Sequence, residues 1–127
     1  MHKDLVTKLK ERGKHFFQVA IFDAEKGRYD LALFHLEQSL QLLLKSKLLE
    51  IAGDFPKIHS LKDLFALLEE FFPNLDKIVD ENILIIDVLE DAYIASRYLG
   101  AEYGKKEFDI CRNFVKKLWS EIWDESV

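Results

Sequence analysis

Four histidines, one cysteine and a run of carboxylates are the groups in this chain that could carry proton, metal or nucleophile chemistry. Paired metal ions inside a helical bundle are held by Glu-x-x-His steps that point inward from two helices. No Glu precedes His at that spacing, and His2, His15, His35 and His59 form no HExxH. Cys111 has no second thiol with which to complete a zinc set. No metal and no cofactor is therefore expected. Glu11 and His15 lie one helical turn apart, but Arg12 and Lys14 flank them, and the group reads as a solvated face. Asp87, Glu90 and Asp91 share a turn as well. Paired carboxylates do acid–base work when a partner orients them; none is visible, so a wet face is the expectation. Cys111 sits in an apolar seam, where the thiol packs as a small hydrophobe and the thiolate is disfavoured. Glycine loops of the Walker or dinucleotide-binding type are absent.

Three polar places resist such dismissal. His35, Gln38, Gln41 and Lys45 fall close to one line among leucines, and polar groups there must find hydrogen-bond partners inside the bundle or across an interface. His59 and Ser60 stand at the mouth of a helix, where Ser60 caps and His59 is a neighbouring loop residue. Tyr93, Arg97 and Tyr98 put a guanidinium between rings. It could clamp a phosphate or stack on a base, or equally pair with one of the surplus carboxylates.

The elements that carry these residues are helical. Val6, Leu9, Gly13, Phe16 and Ala20 recur at three- and four-residue steps, which predicts a helix from Lys3 to Lys26. Gly13 in its interior costs roughly 1 kcal/mol relative to Ala and implies close approach by a neighbour. A second helix runs from Tyr29 or Asp30 to Ala52. Its leucines cover so much of the circumference that it is either the centre of the bundle or the face of a second subunit. Leu61 to Phe72 follows the Ser60 cap, with Asp63 favouring the helix start. A short helical turn covers Leu75 to Asn82. Ile83 to Leu99 carries Ile85, Leu89, Ala92 and Ser96 on its inner line. Lys105 to Trp123 places Phe108, Cys111, Val115, Leu118 and Ile122 in a bundle seam. The fold class expected is all-α, an up-down bundle of four to five helices forming one domain over residues 1–127.

Composition narrows the function classes. With 23 acidic and 18 basic side chains the formal charge is −5, the opposite of the basic excess that phosphate-neutralising proteins show. The lone cysteine fits a reducing compartment. Residues 1–5 show no secretory segment, and Ile83 to Leu89, broken by Asp87, is far short of the roughly 20 residues of a membrane span. A cytoplasmic protein with no membrane partner is expected.

Three motifs together resemble one family. Tyr29-Asp30-Leu31-Ala32-Leu33-Phe34-His35, continuing through Gln38 to Lys45, is similar to the Y-D-x-A-x-F-H-x-x-Q pattern on the second helix of HEPN domains. Ile58-His59-Ser60-Leu61 resembles their T-H-S-L element, and Tyr93-Ile94-Ala95-Ser96-Arg97-Tyr98 their Y-x-x-x-R-Y element. Order and spacing agree over nearly the entire chain, with departures at Ser39, Gln41 and Leu99, where the family often has Ala, Glu and Pro. The resemblance implies a small prokaryotic or archaeal HEPN domain of the type associated with a minimal nucleotidyltransferase, commonly dimeric, in a pair resembling a toxin–antitoxin module. Several branches of the family are metal-independent RNases with a late R-x(4-6)-H motif. Neither Arg97 nor Arg112 has a histidine at that distance. Arg28 and His35 satisfy the spacing formally, but on the second helix, and the match reads as coincidence.

The expectation is thus a non-catalytic module that forms a homodimer, partners a minimal nucleotidyltransferase and binds a nucleotide or RNA. The residues expected to bind are His35, Gln38, Lys45, His59, Arg97 and Tyr98. The alternative is a dimeric RNase using Arg28 and His35.

Overall fold

The computed structural model describes residues 2–54, 57–58, 60–98 and 102–127, without the side chains of residues 2 and 96–98. Among the described residues six helices follow one another: α1 (His2–Glu25), α2 (Tyr29–Ala52), α3 (Leu61–Glu69), α4 (Leu75–Glu81), α5 (Ile83–Tyr98) and α6 (Lys105–Trp123). No strand occurs among the described residues.

Six replaces the expected four to five because residues 75–81 form a full helix of their own. Asn82 separates it from α5, its side-chain N–H donating to the Ile78 carbonyl at 2.8 Å and its backbone N–H to Val79 at 3.1 Å. The third helix ends at Glu69 rather than Phe72, since Phe71 and Phe72 donate three residues back to Leu68 and Glu69 and tighten the chain into turns. Ser60 caps α3 as expected, its Oγ accepting from the Asp63 N–H at 3.3 Å. Gly53 closes α2 at φ 78°, a left-handed conformation that suits glycine, and its N–H reaches the Leu49 carbonyl.

Helices α1 and α2 form an antiparallel hairpin: Asp23 meets His35 while Gly13 meets Leu42, so contacts step in opposite directions along the two helices. Gly13 does serve close approach. A Cβ there would lie 2.9 Å from the Trp119 ring and 3.2 Å from Leu42. α2 is the centre of the bundle, packed by α1, α3, α5 and α6. Leu33, Leu36, Leu40, Leu43 and Leu44 are fully buried within one continuous core that also takes in Phe65, Leu89, Val115 and Trp119. Most of its wide apolar surface is therefore spent inside the chain, with Leu31, Phe34, Leu42 and Ile51 left partly exposed. Along α6, all five seam residues are buried. On α1 the expected Val6, Gly13 and Ala20 are buried and on α5 Leu89 and Ala92, but Phe17 and Ile86 are buried in place of the half-buried Phe16 and Ile85, Leu9 is half-buried, and the side chain of Ser96 lies outside the described residues. Indole N–H groups tie α6 to α2, Trp119 donating to Ser39 Oγ and Trp123 to Ser46 Oγ. Among the described residues no helix is long and apolar enough to cross a membrane.

Candidate functional site

α2 keeps one half-exposed strip, and Phe34, His35, Gln38 and Lys45 lie on it. The imidazole of His35 is fixed from three directions. Its Nδ1 lies 2.5 Å from Asp23 Oδ2 on α1, Phe16 stacks on it at 5.9 Å, and Phe34 meets its edge at 5.2 Å. Phe34 in turn stacks on Tyr93 of α5 at 5.9 Å. Four part-exposed rings thus form a ladder from α1 across α2 to α5. Offset and edge contacts of this kind contribute about 0.5–1.5 kcal/mol each beyond their area.

Beside the ladder an open cleft of about 540 Å³ lies between α2, α5 and the start of α3. Its floor is Glu37, which is only 1% exposed. Gln38 Nε2 donates to one carboxylate oxygen at 2.8 Å and Gln41 Nε2 to the other at 2.7 Å. Burial pushes the Glu37 carboxyl up to about 7; the two amides and the more distant Lys45 oppose that shift, and the charge of Glu90 adds to it. Glu90 is also raised by burial, against the pull of Lys62, whose backbone N–H it accepts at the α3 N-terminus. Its Oε1 is buried without a hydrogen-bond partner among the described residues. Desolvation lowers the Lys45 ammonium, partly offset by Glu37. At the cleft rim Lys62 and Asp87 pair at 2.5 Å, both nearly half exposed, a geometry that contributes little to stability.

The expected site residues divide accordingly. His35, Gln38 and Lys45 share the α2 strip, Gln38 bonded to Glu37 and Lys45 within the field of the same carboxylate. Arg28 is exposed at the α2 N-cap position, and its backbone is used in the turn, accepting from Ala32 and donating to Asp23, each at 2.9 Å. His35 lies seven residues on, about 10 Å along the axis. His59 lies outside the described residues, as do the side chains of Arg97 and Tyr98; the backbone of that pair forms the last turn of α5. Cys111 is buried, and burial pushes its thiol up to about 12. No group of three or more metal-ligating side chains is gathered among the described residues.

Two contributors escaped the sequence reading. Glu37 had a signal: Leu33, Leu40 and Leu44 stand four before, three after and seven after it, which places its carboxyl on the buried face. Asp23 had none, because its partner comes from the hairpin register. A family model described as HEPN domain matches residues 6–125. Among curated proteins, none matches the chain.

Proposed function

The chain belongs to the HEPN domain family, and from that premise we propose that it is a non-catalytic interaction module that pairs with a second copy of itself and with a minimal nucleotidyltransferase in a toxin–antitoxin-like unit. The single observation that carries this reading is the ring ladder Phe16–His35–Phe34–Tyr93. Rings held in place but left part-exposed are contact surface: they take stacked bases or partner side chains at little entropic cost. The late R-x(4-6)-H pair of the RNase branches is missing from the sequence, and the acidic balance disfavours broad phosphate binding. A nucleotide or short RNA is the small ligand that suits the ladder, with Gln38 and Lys45 on the same strip and His59, Arg97 and Tyr98 as further binding candidates.

Titration of the protein with ATP, GTP and a short single-stranded RNA, beside a Phe34→Ala variant, tests the ligand half. Binding that the variant weakens supports the ladder as the platform. Equal binding by both proteins removes it.

One observation favours a second reading. Asp23 occupies His35 Nδ1, which leaves Nε2 as the nitrogen able to exchange a proton, and an oriented imidazole of this kind is what a general base requires. Arg28, seven residues before it, would then supply the cation of a metal-independent RNase. Arg28 is exposed at the turn and His35 is not among the residues that line the cleft over Glu37, so this stays the alternative.

A further inference from the structure

Opposite its buried line, α5 presents an uncovered ridge. Leu84 and Ile94 are 75% and 59% exposed. Asp87 and Asp91 lie between them on a three-four-three spacing, which keeps all four on one helix face. The ridge therefore reads apolar, acidic, acidic, apolar. Lys62 reaches Asp87 from the side, while Asp91 makes no ion pair among the described residues.

The complement stands on α1. Leu5, Lys8, Arg12 and Phe16 follow at three-four-four spacing and read apolar, basic, basic, apolar. Leu5 is 45% exposed, Lys8 and Arg12 are exposed, and Phe16 is half-buried. Lys10 and Lys14, on another face of the same helix, are both bonded to Glu125. Lys8 and Arg12 have no such partner among the described residues. Within one chain the two ridges do not satisfy each other, since α1 and α5 both pack on α2 and make no substantial contact together.

We propose that two copies of the chain pair by seating the α1 ridge of one on the α5 ridge of the other, Lys8 and Arg12 against Asp87 and Asp91, with Leu5 and Phe16 against Leu84 and Ile94. This names the surface of the self-association proposed above and rests on that reading. Opposed charges set partner and register, and the apolar ends exclude water from between them. The Phe16–His35–Phe34–Tyr93 contacts put α1 and α5 on one side of α2, so a two-fold axis over that side lets the contact form twice and closes a dimer rather than an open chain.

Sedimentation or light scattering on wild type, Arg12→Glu, Asp91→Lys and an equal mixture of the two variants tests the proposal. Both positions are exposed, and circular dichroism checks that the variants fold. Wild type is expected to be dimeric. Each variant alone should dissociate at concentrations where wild type stays paired, with affinity lowered on the order of tenfold or more. The mixture should regain pairing, because Arg12 then faces Asp91 at one contact and the introduced acid faces the introduced base at the other. Variants that pair as tightly as wild type, or a mixture that stays dissociated, would overturn the ridge assignment while leaving self-association standing. A wild type that is monomeric at every concentration would overturn both.

Discussion

Asp23 Oδ2 and His35 Nδ1 lie 2.5 Å apart, joining the last turns of α1 to the second turn of α2 across the Gly27 bend. The contact does more than close the hairpin. It sets the plane of an imidazole that Phe16 and Phe34 then hold by ring contacts, and so aligns the start of the ladder proposed as the binding platform.

Removing the acceptor should loosen that ring. Asp23→Ala is expected to lower stability by about 0.5–1.5 kcal/mol in urea unfolding, the net worth of one hydrogen bond to a part-exposed imidazole. Asp23→Asn keeps an oxygen for the imidazole N–H and should cost clearly less. Equal costs for the two variants would mean that the oxygen does not hold the ring.

Glu37 makes stability depend on pH. Its carboxyl is raised in the folded chain from an ordinary 4.5 to about 7, so over that window the folded state holds more protons than the unfolded one. Stability from this group is full below the window and falls as pH rises through it. Glu37→Gln should therefore stabilise the protein at about pH 8, by up to roughly 3 kcal/mol, and the gain should vanish near pH 4.5. Thermal melts of both proteins across that range measure it; a gain that grows toward acid pH would contradict the assignment.

Gly13→Ala sets helix propensity against packing. The substitution offers about 1 kcal/mol as propensity, but the new Cβ meets the fully buried Trp119 ring at 2.9 Å. Overpacking of this kind costs about 1–3 kcal/mol. A net loss of up to about 2 kcal/mol is expected by denaturant titration, and a stabilised variant would show that the indole can move aside.

Cys111 should be silent toward thiol reagents in the folded protein. Burial raises its thiol to about 12 and leaves it 2% exposed, so the reactive thiolate is scarce and hard to reach. Labelling should proceed only at the rate of unfolding and accelerate with denaturant. Rapid labelling under native conditions would place the thiol at a surface.

Much of this architecture is legible in the residue pattern. The α6 seam and the Ser60 cap follow from spacing and side-chain chemistry alone, and the Gly13 approach from the cost of a mid-helix glycine. On α1 and α5, Val6, Ala20, Leu89 and Ala92 lie buried as their spacing predicts, whereas the adjacent apolar pairs Phe16–Phe17 and Ile85–Ile86 leave the inward member undecided until neighbouring helices fix it. The boundary before Ile83 is legible as well, and only the extent of the preceding turn, a helix of its own over Leu75–Glu81, is not. At the site, His35, Gln38 and Lys45 were visible as polar residues on an apolar helix. Asp23 and Tyr93 join them only through packing between helices, which no spacing within one helix encodes.

An RNA-cleavage assay on wild type and His35→Ala tests the central claim most directly. The binding-module account predicts that neither protein cleaves a mixed single-stranded RNA without metal. Cleavage by wild type that His35→Ala abolishes would contradict it, and would make the Asp23-oriented His35, together with Arg28, an active site.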